Sequence, residues 1–266
     1  MNENSDVGSN KVVTQVTLER WREAQRYEKA CWLGAQAERS RCGKNLVWKA
    51  LAAVRLKPKF RGDDYNYWWL EQFQGYEFLP KTLDNAIELG CGPFTNMRLI
   101  AEGRIIGHLF LSDHLMPTYV NFKMTYLAAL QRKGFAVLDD HPIEQSPFRS
   151  NFFDLVVMIN VLDHVQDAVH CVQVARALTK PGGYLMIGQD LSDQTDLAHI
   201  RGRSEEGGHP IRVDQEWCEK QVAAFGEPVV HKILTREQGR APAAHYGTFI
   251  FAAKKNGATP EQMPPA

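Results

Sequence analysis

A glycine-rich turn follows a short apolar run that also holds one acidic residue. The local sequence is Ala86-Ile87-Glu88-Leu89-Gly90-Cys91-Gly92-Pro93-Phe94-Thr95. Gly90 permits a sharp turn at the end of a strand, and Gly92 lets the backbone approach a ligand without an intervening side chain. Thr95 stands where the dinucleotide pattern G-x-G-x-x-G requires its third glycine, and Glu88 precedes the turn. The turn therefore predicts a nucleotide site and disfavours a nicotinamide dehydrogenase.

A carboxylate ends the next apolar run, Leu109-Phe110-Leu111-Ser112-Asp113. Asp113 follows the glycine turn at about the 20-residue offset that is typical of a ribose-binding acid at the end of the second strand. Such a carboxylate accepts hydrogen bonds from both ribose hydroxyls. The alternative is that Asp113 only caps the helix that follows.

Further motifs follow the glycine turn in a fixed order. They are Pro147-Phe148, Asn151-Phe152-Phe153-Asp154-Leu155-Val156-Val157, Asn160-Val161-Leu162-Asp163-His164-Val165 and Ala177-Leu178-Thr179-Lys180-Pro181-Gly182-Gly183. Together with the glycine turn and Asp113, they resemble the class I S-adenosylmethionine-dependent methyltransferases, with a domain like methyltransferase type 11. The resemblance spans about residues 84–254.

The resemblance implies a cofactor site for S-adenosyl-L-methionine. It places Glu88, Gly90 and Gly92 around the methionine part of the cofactor and Asp113 on its ribose. It also places Asn160 where the cofactor and the acceptor meet, although a residue at the end of a strand can equally bond to its own turn.

The adenine side of that site is less well matched by the sequence. Glu144 is the acid that the resemblance points to there, and Asp140 is the alternative. The family often has Asp where this chain has Pro142, and Ser146 replaces a leucine of the family pattern.

For methyl transfer from an activated sulfonium, the protein mainly has to hold the acceptor atom in line with the methyl carbon. A hydroxyl acceptor also benefits from a base that removes its proton. Histidine is the natural candidate because its pKa lies near neutrality. We expect His164, His199 and His209 near the carboxyl edge of the sheet, and we select His209 and His164 as catalytic candidates. The alternative for each is a packing or surface histidine.

An aromatic segment, Tyr65-Asn66-Tyr67-Trp68-Trp69, precedes the glycine turn. It is predicted to fold over the cofactor as a lid, with Tyr65 and Tyr67 combining a flat apolar ring with a hydroxyl. For Trp69, packing against the sheet is at least as favoured.

The pattern of apolar runs predicts an α/β fold with seven strands and a parallel sheet, preceded by a helical extension. The resemblance implies that this sheet is Rossmann-like, doubly wound and mostly parallel, with a C-terminal antiparallel strand. The predicted units are a flexible N-terminus (1–15), a helical cap (16–80), the methyltransferase domain (81–254) and a flexible tail (255–266). Two helices broken near Cys42-Gly43 are expected in the cap, and one helix is expected over 117–132.

The composition is that of a globular protein: 266 residues, 44% hydrophobic and 23% charged, with 31 basic and 31 acidic residues. This balance makes nucleic acid a less favoured partner. Five scattered cysteines without metal-ligand spacing predict a reduced, cytoplasmic setting and no structural metal. The apolar runs are too short for a membrane span.

A run of basic residues without an acidic one extends from Arg39 to Arg61. Its members are Arg39, Arg41, Lys44, Lys49, Arg55, Lys57, Lys59 and Arg61. The run is predicted either to dock an anionic acceptor, RNA or an anionic membrane surface, or to form a solvated helix face.

Three functions are compatible with the sequence. The first is O-methylation of a small-molecule or carbohydrate acceptor, because the long loop at 192–213 and the cap can enclose a polar molecule. The second is RNA or protein methylation. This sequence lacks the N/D-P-P-Y/F motif that many base N-methylators carry after the fourth strand, and Asn160-Val161-Leu162 stands in its place, which disfavours methylation of base amino groups. The third is cofactor binding without catalysis.

Overall fold

A computed structural model describes residues 12–44, 64–122, 125–193, 196 and 207–257, without the side chains of 38–44 and 64–65. Seven strands occur in these residues. They are β1 (Thr82–Leu89), β2 (Ile105–Ser112), β3 (Ala136–Asp139), β4 (Phe153–Ile159), β5 (Thr179–Leu191), β6 (Gly226–Thr235) and β7 (Gly247–Lys255). They form one sheet in the order β3-β2-β1-β4-β5-β7-β6. The first five strands pair in parallel, and β7 lies antiparallel between β5 and β6. The predicted fold class is confirmed.

Seven α-helices surround the described part of the sheet. They are α1 (Leu18–Lys44), α2 (Asp64–Gln72), α3 (Met97–Ile100), α4 (Met116–Tyr119), α5 (Tyr126–Lys133), α6 (Ala168–Leu178) and α7 (Gln215–Val222). Side-chain caps begin three of them: Thr125, Asp167 and Asp214 each accept a hydrogen bond from a backbone N–H of the first turn. None of these helices has the length and apolarity that crossing a membrane requires.

The helices lie on both faces of the sheet and bury two apolar layers. Alternate residues of β4 belong to different layers, with Leu155 and Val157 on one face and Val156 and Met158 on the other. Trp69 of α2 is buried in the first layer, so the packing alternative for this residue is confirmed. A sheet covered on both faces explains why its central strands read as nearly continuous apolar runs.

α1 continues through Cys42-Gly43 to Lys44, and the residues beyond it, where the second helix of the cap is expected, lie outside the described part of the chain. Elsewhere the structure differs from the sequence expectations. The helix expected over 117–132 is divided into α4 and α5. The Pro181-Gly182-Gly183 turn lies inside β5, where the pairing with β4 shifts register.

The segment before α1 is paired with the rest of the domain. The backbones of Val13 and Arg212 exchange hydrogen bonds of 2.9 and 2.8 Å, and Gln15 forms a bridge with Asp167. The expectation of a flexible N-terminus is therefore wrong for residues 12–15. These bridges fix the start of α1 beside the carboxyl edge of the sheet.

Candidate active site

A cavity of about 990 Å³, including its open mouth, lies at the carboxyl ends of β1, β2 and β4. This is the edge at which open α/β sheets bind ligands. Its walls contain the glycine turn, the loop after β2, the loop after β4 and one face of α1.

The glycine turn has the backbone that its sequence predicts. Gly90 and Gly92 have φ of +67° and +58°, the left-handed region that favours glycine. A Cβ on Gly90 would collide with the side chain of Val161, whereas a Cβ on Gly92 would meet no atom within 4 Å. Gly90 is therefore required by the packing of the protein, and Gly92 faces the open space of the cavity.

Glu88 lies behind this turn and does not border the cavity. Its two carboxylate oxygens accept from the hydroxyl of Thr95, the amide and backbone N–H of Asn96 and the backbone N–H of Met97. Burial raises the pKa of Glu88 to about 7 against these hydrogen bonds. The expectation that Glu88 contacts the methionine part of the cofactor is thus corrected: Glu88 holds the turn to the start of α3.

Asp113 borders the cavity beside Gly92. Its Oδ2 accepts from the backbone N–H of Gly92 at 2.9 Å and its Oδ1 from that of Leu115 at 2.8 Å. Burial raises the pKa of Asp113, and the two N–H donors oppose that shift. Each oxygen keeps lone pairs for further donors, so the carboxylate suits a pair of vicinal hydroxyls.

The acids considered for the adenine side have different surroundings. Glu144 lines the cavity, but its Oε1 accepts from the backbone N–H groups of Gln166 and Asp167 at 2.9 and 3.0 Å. This carboxylate therefore braces the loop after β4 as well as facing the cavity. Asp140 is exposed and does not line the cavity.

Asn160 lines the cavity at the end of β4 and has φ of +52°. Its amide lies between the carboxylate of Asp190, at 3.1 Å, and the guanidinium of Arg240, at 3.0 Å. The amide nitrogen must face the carboxylate and the oxygen must face the guanidinium. Asn160 thus bonds to neighbouring elements rather than to its own turn alone.

Arg240 also lines the cavity, and the sequence analysis did not identify it. Its Nη2 donates to Asp190 at 2.7 Å, and its guanidinium lies 5.9 Å from the centre of the Trp69 ring. Arg240 follows β6 in a polar stretch that carries no motif. Only the pairing of β5 with β7 brings this stretch to the cavity.

α1 covers the mouth of the cavity with Trp21, Gln25, Glu28 and Trp32. Trp21 and Gln25 donate to the backbone oxygen of His164 at 3.1 and 2.9 Å. The Trp21 ring lies 4.8 Å from that of His114, a residue of the opposite wall. The first helix of the chain is therefore the cover of this site.

The lid expected from the aromatic segment is corrected by the structure. Tyr67 is 51% exposed, lies outside the cavity, and accepts a hydrogen bond from Arg98. Its neighbours Asn66 and Trp69 line the cavity instead, because residues three apart lie on the same face of a helix and Tyr67 lies on another. The side chain of Tyr65 lies outside the described residues.

The two candidate histidines lie together beside one buried carboxylate. The rings of His164 and His209 have centroids 4.5 Å apart, and the Nε2 of each lies 3.8 Å from Asp163. Burial lowers the pKa of His209 to about 3. Burial would raise the pKa of Asp163, but His164, His209 and His245 outweigh it and hold that pKa well below its usual range. His164 borders the cavity, and His209 packs behind it.

His199 and the basic run from Arg39 to Arg61 lie outside the residues whose side chains the structure describes. Their predicted roles stay predictions.

Comparison with known proteins decides between the kinds of nucleotide site. A family model described as a methyltransferase domain matches residues 87–187, from the middle of β1 to the middle of β5. The chain contains an S-adenosylmethionine-dependent methyltransferase domain. An uncharacterised methyltransferase of Schizosaccharomyces pombe is 28% identical over 109 residues, which are 40% of this chain and 39% of that relative.

Solved structures of methyltransferases share the fold of this chain. The N-methyltransferase NodS from Bradyrhizobium japonicum, in complex with S-adenosyl-L-homocysteine, matches with a TM-score of 0.50 and 17% identity, over 72% of this chain and 86% of that one. The 1,6-didemethyltoxoflavin-N1-methyltransferase of Burkholderia thailandensis matches with a TM-score of 0.52 and 14% identity, over 92% and 94%. At these identities the likeness concerns the fold.

The residues of the methyltransferase domain fit its cofactor, S-adenosylmethionine. The open space beside Gly92 admits a ligand close to the backbone, and Asp113 presents a fixed carboxylate for ribose hydroxyls in the same cavity. Trp21, Leu115 and Ile143 supply apolar surface between these polar groups.

Proposed function

We propose that this chain methylates a hydroxyl oxygen of a small-molecule or carbohydrate acceptor. The observation that carries the proposal is the position of α1. This helix lies across the mouth of the cavity and is tied to the loop after β4 by Trp21 and Gln25. A cavity whose mouth is crossed by a helix suits a small acceptor beside the cofactor better than a folded RNA or protein surface.

The polar groups of the cavity wall support a polar acceptor. Besides Asp113, its lining includes Asn160, His164, Glu28 and Arg240. Arg240 forms an ion pair with Asp190, so the two charges compensate each other. The pair also holds the guanidinium in one orientation, in which it can donate hydrogen bonds to an acceptor. Such a wall suits an acceptor that carries several hydroxyls.

Bound S-adenosylmethionine supplies an electrophilic methyl carbon on its sulfonium. The residues of this chain have three tasks beside it. Asp113 and the turn at Gly92 position the ribose, α1 excludes water, and the wall of β4 and β5 orients the acceptor. His164 borders the cavity and is the better placed of the two candidates to accept the proton of a hydroxyl. His209 acts through its contact with His164 and is a positioning residue.

The basic run from Arg39 to Arg61 carries a separate proposal about partners. We propose that it attracts an anionic acceptor or an anionic membrane surface to the helical cap. Support comes from the eight basic residues without an acidic one in a chain of zero net charge.

The acceptor class is tested by following S-adenosylhomocysteine production with a panel of hydroxyl compounds, amines, RNA and protein. The hydroxyl set contains free sugars and nucleotide sugars. We expect turnover with at least one hydroxyl compound and a product one methylene heavier. Turnover confined to amines would replace O-methylation by N-methylation, the reaction named for the neighbours from Bradyrhizobium and Burkholderia. Cofactor binding without turnover on any acceptor would favour the noncatalytic function.

A further inference from the structure

Three potential metal ligands converge at the acceptor side of the cavity. Oδ1 of Asp163 lies 3.8 Å from Nε2 of His164, and Oδ2 lies 3.8 Å from Nε2 of His209. One ligand atom from each residue lies within 4.8 Å of the others. These separations are too long for hydrogen bonds, which are about 2.7–3.2 Å between N and O.

The carboxylate of Asp163 is poorly satisfied for a buried charge. It is only 4% exposed, neither oxygen has a partner at good hydrogen-bond geometry within the described part of the chain, and the side chain of Gln189 contributes the smallest of the interactions that lower its pKa. A buried carboxylate without partners is costly, and it is usually paired or bound to a metal. The two histidines face it with ring nitrogens at a distance that leaves room for an ion between them.

His164 is held in the tautomer that a metal ligand requires. Its Nδ1–H donates to the backbone oxygen of Gly208 at 3.1 Å, which leaves the lone pair of Nε2 directed to the side of Asp163. A backbone carbonyl commonly fixes metal-binding histidines in this way. This contact is independent of the three converging ligand atoms.

We propose that Asp163, His164 and His209 bind a divalent cation of the zinc class. Two imidazoles and one carboxylate are ligands that zinc accepts in catalytic sites, with bonds of about 2.0–2.2 Å. Around a tetrahedral ion at such distances, ligand atoms lie about 3.4 Å apart. The observed 3.8 Å therefore requires only a small contraction. Three ligands leave one position open.

The proposed cation site has a consequence that rests on the proposed function. His164 belongs both to this site and to the cavity wall, so the open position would lie on the acceptor side. A cation there lowers the pKa of a bound hydroxyl. In the loaded enzyme His164 would be a ligand and not the base: the cation would lower the pKa of the acceptor hydroxyl, whose proton would pass to solvent water at the cavity mouth as the oxygen takes the methyl group.

The test is metal binding by the untagged full-length chain, after treatment with a chelator, in competition with a chromophoric zinc indicator. We expect one tight equivalent in the wild type and a loss of affinity of at least about 100-fold in Asp163→Asn and in His209→Ala. Cobalt in place of zinc should give visible absorption bands in the wild type only. His231→Ala is the matched control, because His231 also lies beside a carboxylate, Glu219 at 3.1 Å, but its ring packs against Phe249 and Phe251.

Binding of S-adenosylhomocysteine by each variant shows that it is folded and separates this proposal from the proposed function. Equal zinc affinity in the wild type and both variants would overturn the cation site. No saturable zinc binding by a wild type that binds S-adenosylhomocysteine would overturn it as well, and would leave the methyltransferase function intact.

Discussion

The two glycines of the turn, Gly90 and Gly92, are required for different reasons. A side chain on Gly90 would collide with Val161, whereas a side chain on Gly92 would enter the space that we assign to the cofactor. We expect Gly90→Ala to lower the free energy of unfolding by about 3 kcal/mol, through overlap and a left-handed backbone. Gly92→Ala should cost about 1 kcal/mol of stability but should weaken binding of S-adenosylhomocysteine strongly. Urea unfolding and calorimetry on both variants measure this contrast, and equal losses of stability would contradict it.

Glu88 should give the stability of the domain a pH dependence. Its pKa is raised from 4.5 to about 7 in the folded chain. The folded state therefore holds a proton that the unfolded state releases, and stability falls as pH rises from about 4.5 to about 7. Relative to Glu88→Gln, the wild type should lose up to about 3 kcal/mol between these limits. Urea unfolding at pH 5 and pH 8 measures the difference, and a difference that does not change with pH would contradict the assignment.

The sequence identified residues best where a motif fixed the backbone. Gly90, Gly92 and Asp113 lie at the cavity because strand, turn and acid follow one another locally. Glu88 was assigned to the wrong side of the turn, since the motif fixes its position and not the direction of its side chain. Arg240 has no local signal, because it reaches the cavity only through the pairing of distant strands.

At the scale of elements, α1 is the helix that lies across the mouth of the cavity. The sequence predicted a helical cap but placed the cover in the aromatic segment, because aromatic rings are a stronger local signal than the weak apolar pattern of α1. The long-range bonds that fix α1, from Trp21 and Gln25 to His164, join residues more than a hundred positions apart. Such contacts cannot be deduced from periodicity.

Removing the cover should speed the release of the cofactor. We expect Trp21→Ala to raise the dissociation rate of S-adenosylhomocysteine about tenfold, which corresponds to about 1.4 kcal/mol. Leu33→Ala is the control, because Leu33 lies on the same helix and is 46% exposed. Stopped-flow fluorescence measures both rates. Equal rates in the wild type and Trp21→Ala would show that α1 does not cover the bound cofactor.

At the scale of the whole molecule, the charges balance while one segment is strongly basic. If the run from Arg39 to Arg61 attracts anionic partners, binding to vesicles that contain anionic lipid should weaken as salt rises. Co-sedimentation at low and high salt measures this, with neutral vesicles as the control. Binding that is insensitive to salt would remove the electrostatic role of the run.

The order of strands in the methyltransferase domain was predictable, because buried parallel strands appear as short apolar runs. All seven predicted strands are present. The position of the N-terminal segment was not predictable, since it depends on two bridges to residues far along the chain.

The central claim is that the cavity binds S-adenosylmethionine through Asp113. Calorimetry of S-adenosylhomocysteine binding to the wild type, Asp113→Ala and Asp140→Ala tests it most directly, with NAD as a ligand control. We predict saturable binding by the wild type and by Asp140→Ala, and affinity at least about 100-fold lower in Asp113→Ala, because two charge-assisted hydrogen bonds are lost. No binding by the folded wild type, or equal binding by Asp113→Ala, would contradict the account.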